Sequence, residues 1–159
     1  MIDETLDYRF LKIKNGKPFF AIVNLEVSPN ENENENEIIE EYIGEGWIGM
    51  GHFASIPAKD EAGKACFSDW KKAVLKGLEL IFSKIETKWT VKVKKVEGLL
   101  ITDTNPTIVG YAAILAFCEQ INLKLDTELK EKIENFVFNS WKDKNYEKVP
   151  NFITLEYDL

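Results

Sequence analysis

From Leu6 to Ile13 the chain reads LDYRFLKI, with Leu6, Tyr8 and Phe10 alternating against Asp7 and Arg9 before the phase shifts at Leu11. A period of two predicts a strand, and the shift predicts a bulged or two-sided one. Asn15-Gly16 follows, and both residues tolerate the positive φ of a type I′ turn, so a hairpin is expected. Its second strand is PFFAIVNLEV, which puts Phe19, Ala21, Val23, Leu25 and Val27 on one face. Residues 28–37, SPNENENENE, bury nothing and cannot offset the entropy of ordering, which predicts a mobile loop. The tract lacks EF-hand spacing and its glycine, so no calcium site is expected there. EIIEEYI predicts a third strand, and Trp47 to Ile56 a fourth, ended by Pro57.

The period then changes. A helix is expected from Ser68 as N-cap, with Asp69 in its first turn, to about Ile85. Its apolar stripe runs Trp70, Ala73, Val74, Gly77, Leu78, Ile81, Phe82 and Ile85, opposed by Lys71, Lys72, Lys76 and Lys84. Gly77 lies within the stripe, where a missing side chain lets another backbone approach at a cost of about 1 kcal/mol in helix propensity. WTVKVKKVEGLLITD predicts a strand with Val91 and Val93 inward, a Glu97-Gly98 turn, and a second strand. Asn105 as cap and Pro106 at the first helical position announce a helix through TIVGYAAILAFCEQ. Being apolar almost all round, it belongs at the centre of the packing. A third helix starts at Asp126, with Leu129, Ile133, Phe136, Val137 and Trp141 on one face, and the alternation Ile153, Leu155, Tyr157 predicts a closing strand. No repeat or boundary divides residues 1–159. The order of elements predicts one α+β domain, a mainly antiparallel sheet with helices on one face.

Composition narrows the function. The chain has 159 residues and 45% hydrophobic content, enough for a core without staples. Its 27 acidic against 20 basic residues give a net charge of −7, which repels a phosphate backbone, so nucleic acid is not the expected partner. The start MIDETLDYRF has no apolar signal region, and no run approaches the roughly 18 residues of a membrane span, so no membrane association and a cytoplasmic location are expected. Cys66 and Cys118 fall just before and inside predicted helices, and reduced thiols are expected rather than a bridge.

Gly44, Gly46 and Gly49 spell G-x-G-x-x-G, with Gly51 and His52 behind them. A phosphate loop needs a helix N-terminus next to its glycines, and none is expected before Ser68. The glycines therefore predict a turn into a strand, with Trp47 and Ile48 exposed on it. A Cys66–His52 pair would have the right chemistry for nucleophilic catalysis, but nothing in the sequence fixes the distance between them. One His and two scattered Cys do not make a metal set, and no cofactor is expected. Asp60, Glu61, Asp103 and Thr104 are nominal acid/base residues, the last two standing where helix caps belong. Trp70 and Trp141 lie on helical stripes and are expected in the core.

AVLKGLELI from Ala73, then VKVKKVEG, then TDTNPTIVGYAAILAFCE resembles domain IV of elongation factor G. The matching positions are Ala73, Val74, Lys76, Gly77, Leu78, Glu97, Gly98, Asp103, Ala116, Phe117 and Glu119, within residues of about 73–119. The pair Gly51-His52 is similar to that family's glycine-rich strand entry. The resemblance implies a ribosomal protein S5 domain 2-like βαβ core and, by extension, action at the ribosome. From the residues themselves, the missing catalytic constellation and acidic surface predict a non-enzymatic protein-binding module of immunity or regulatory type. A translation-related domain is the alternative. The expected contact surface is Trp47, Ile48, Asp103 and Asn105.

Overall fold

A computed structural model of the chain describes residues 2–31, 34–47, 52–59, 65–100 and 102–158. β1 (Asp7–Lys14) and β2 (Lys17–Pro29) form the expected hairpin, whose turn residues Asn15 and Gly16 have φ of 52° and 77°. Their pairing shows no register shift, so the phase change at Leu11 marks a two-sided strand and not a bulge. Tyr8 and Phe10 face the core, whereas Leu11 and Ile13 are exposed.

The sheet continues through β3 (Glu37–Glu40), β4 (Gly46–Trp47), β5 (Phe53–Ser55) and β6 (Trp89–Leu99), in the order β1-β2-β6-β5-β4 with β3 beside β6 as well. β2 and β5 run antiparallel to β6 and β3 runs parallel to it, giving a mainly antiparallel α+β architecture. The third strand is thus shorter than EIIEEYI. Trp47 to Ile56 is not one strand but the pair β4 and β5. Glu97-Gly98 is not a turn either: β6 runs straight through it, and the chain reverses after Leu99. The tract over 28–37 is more ordered at its ends than its composition suggests. Ser28 and Pro29 pair with Thr90 and Trp89, Glu37 belongs to β3, and the Asn36 carboxamide accepts from the Trp89 amide at 2.8 Å.

Among the described residues three α-helices cover one face. α1 (Ala65–Phe82) starts before Ser68, because Phe67 is buried and packs edge-on against Trp70, extending the apolar stripe by a turn. Ser68 is therefore not its cap, and the helix ends short of Ile85. α2 (Pro106–Gln120) is buried at every position from Pro106 to Ile114. A Cβ placed on Gly77 would lie 2.5 Å from the Gly110 carbonyl oxygen, so α1 and α2 cross with backbones in contact, as the glycine in the stripe predicts. α3 (Thr127–Phe138) is capped by Asp126, whose carboxylate accepts from the Leu129 amide. The C-terminal segment is a hairpin, β7 (Val149–Asn151) and β8 (Glu156–Asp158), turning where one strand is expected; Leu155 has a φ of 59°. Phe152 from this turn is buried against Gly110, which locks the hairpin onto the helix layer.

Candidate functional site

Residues 43–47 run along the last strand of the sheet, and alternate positions are exposed: Ile43 at 56%, Glu45, and Trp47 at 42%. The glycines between them face β5. Gly44 donates to the Ile56 carbonyl at 3.0 Å, and a Cβ there would strike Ser55 and the Ile56 backbone. Gly46 takes a φ of 80° opposite Ser55. Packing and a left-handed turn account for these glycines, and among the described residues the next α-helix in the chain is α1, from Ala65. The His52 ring lies 6.0 Å from that of Trp47, and the His52 carbonyl accepts from the Leu100 amide at 2.8 Å. Trp47 therefore sits at the same end of the sheet as the reversal after β6. Ile48, Gly49 and Gly51 lie outside the described residues.

Asn105 is not part of this surface. It is 3% exposed, its side-chain oxygen accepts from the Ile108 amide at 2.9 Å, and its amide donates to Ser140 Oγ at 3.1 Å. The helix cap consumes it. Asp103 is half-buried, with its backbone carbonyl accepting from the Phe20 amide at 2.9 Å. Thr104 is no cap but a clamp. Its hydroxyl donates to the Phe20 carbonyl at 2.5 Å and accepts from the Leu99 amide at 2.9 Å, and its side chain occupies the space that Gly98 leaves open. The signal for it in the sequence is that Gly98, which resembles a turn residue only while Thr104 is unseen.

The remaining chemistry is sparse. Cys66 packs on the core from the first turn of α1, inside the helix rather than before it. Burial pushes the Cys118 thiol up to about 11, against the pull of Lys130, which makes it a poor nucleophile at neutral pH. No group of three or more His, Cys, Asp or Glu is placed to hold a metal ion among the described residues. On the open face of the sheet Lys95 bridges Asp7 at 2.8 Å and Glu97 at 3.9 Å, next to Asn24, whose amide donates to Asp7 at 2.8 Å. This network ties β1, β2 and β6 together.

Charge supplies what reactive groups do not. From Pro18 to Ala58 the sequence has no Lys or Arg and eight Glu, and this run includes β3, β4 and the segments joining them. Glu41 is held by Lys94 at 2.6 Å, a bond that lowers the carboxyl pKa and raises that of the amine. Glu31, Glu35, Glu37, Glu40 and Glu45 are exposed to solvent along the same margin. No model of a known protein family and no curated protein matches the chain. Among the described residues no helix is long and apolar enough to cross a membrane.

Proposed function

We propose that the protein is a non-enzymatic binding module, of immunity or regulatory type, whose glutamate-rich margin docks a basic protein. The observation that carries this reading is the pair of large apolar side chains, Ile43 and Trp47, exposed within a run that lacks any cation. An aromatic anchor surrounded by charge is the usual composition of a binding hot spot and its rim. The glutamates attract a cationic partner and speed its encounter, while Trp47 and Ile43 supply apolar contact once water leaves.

The test uses the intact protein as bait at low and high salt, beside Trp47→Ala and Glu45→Lys. A basic protein is expected to be retained by the native chain, released by salt and lost from both variants, while their melting temperatures match the native value. Recovery of a small metabolite without protein would overturn the reading. Ribosomes co-sedimenting equally well with the native chain and Trp47→Ala would do so too, and would favour the translation-related alternative.

A further inference from the structure

The opposite margin of the sheet has the opposite chemistry. From Tyr8 to Leu25 the sequence has no acid and four cations, Arg9, Lys12, Lys14 and Lys17, in a chain of net charge −7. β1 pairs with β2 on one side, and among the described residues no strand pairs with its other side. Lys14 and Lys17 flank the two-residue turn, so they exchange both backbone bonds, and residues 8, 10 and 12 do likewise along the ladder. The amides and carbonyls of Arg9, Leu11 and Ile13 therefore point away from the sheet. Their side chains lie on its open face, where Leu11 is 47% and Ile13 71% exposed.

The fold closes comparable loose lengths of β2. The Gln120 side chain donates to the Leu25 carbonyl and accepts from the Val27 amide, Thr104 takes the Phe20 carbonyl, and the Trp141 indole donates to the Pro18 carbonyl. On β1 no such cover exists among the described residues. Lysines on an edge are an ordinary guard against self-pairing. That guard accounts for Lys12 and Lys14, but not for two neighbouring aliphatics left in water.

We infer that the outer edge of β1 takes an extended acidic segment of a partner protein as an added strand. The register specifies the segment. Its alternate residues lie against Leu11 and Ile13 on the open face and are aliphatic; the intervening ones face Lys12 and Lys14 and are acidic. A second copy of the chain does not fit, because pairing β1 with β1 gathers Arg9, Lys12 and Lys14 of both copies along one seam with no acid between Tyr8 and Leu25 to offset them.

The probe is a capped peptide of alternating glutamate and valine, with an alternating lysine and valine peptide as control. The acidic peptide is expected to slow hydrogen exchange at the amides of Arg9, Leu11 and Ile13, which face outward, and to leave Phe10 and Lys12 unchanged. Leu11→Pro removes one outward amide without touching the ladder to β2, and is expected to weaken binding at least about tenfold. Should that variant not fold, the double exchange Lys12→Glu and Lys14→Glu serves instead: preference is expected to pass to the lysine peptide. Absence of protection at saturating acidic peptide overturns the inference. So does binding indifferent to both variants, equal binding of a single-stranded oligonucleotide without protection of the three amides, or self-association through β1. Trp47→Ala leaves this binding unchanged, which separates it from docking at the glutamate-rich margin.

Discussion

The two faces of the sheet are built from the same strands on different principles. On the inner face Phe19, Ala21, Val23, Leu25, Val91, Val93 and Val96 are buried in one cluster with α1 and α2. On the open face β1 presents Leu11 and Ile13 to water, and Asp7 at its start joins the Lys95 network of β6. Contact on the inner face is set by shape, down to the missing side chains of Gly77 and Gly110. On the open face it is set by charge placement. Added volume should therefore cost much on the first face, and a lost charge should cost or gain a little on the second.

The largest effect is expected at Gly77→Ala. Alanine improves helix propensity by about 1 kcal/mol, yet its Cβ meets the Gly110 backbone carbonyl oxygen at 2.5 Å, and no side-chain rotation can move either atom away. The helices must separate, with a net loss of about 1–3 kcal/mol in urea unfolding. A gain in stability would show that the crossing is not tight and would erase the contrast between the faces. Asn105→Ala comes next, at about 1–2 kcal/mol: it removes the α2 cap and leaves the buried Ser140 hydroxyl without its partner. The urea midpoint measures it, with an unchanged slope expected.

What the sequence makes legible follows the same division. α2 is readable in full, because a cap, a proline at the first turn and an all-round apolar pattern agree. The Asn15-Gly16 hairpin and the Asp126 cap are equally local signals. Strand direction is not local, so the parallel pairing of β3 with β6 carries no mark in EIIE or TVKV. Glu97-Gly98 misleads for a related reason: glycine there makes room for Thr104, which is close in sequence but placed by the reversal. Of the expected surface, Trp47 is exposed and Asp103 half-buried, whereas Asn105 is spent inside the fold. The opposed charges of the two margins are present in the sequence, but only the strand order puts them at opposite sides.

The smallest effects test the open face, and their signs differ. Burial raises the Glu97 pKa, with Lys95 pulling the other way, so the folded state binds this proton more readily than the unfolded one. Such a group contributes stability below its unfolded value of 4.5, and that contribution is lost as pH rises through the folded value. At neutral pH ionised Glu97 is thus a small liability, and Glu97→Gln should stabilise by less than about 1 kcal/mol, since solvent screens much of the effect. The gain should shrink as pH falls toward 4.5 and vanish below it. Asp7→Asn should do the reverse, costing about 1 kcal/mol at neutral pH, because it strips the nearer partner, at 2.8 Å, from a Lys95 side chain only 14% exposed. Urea midpoints of both variants at neutral pH, and of Glu97→Gln down to pH 4.5, decide the matter. If both destabilise equally at neutral pH, the three charges act as one buried unit, and the open face obeys the same rule of close fit as the inner one.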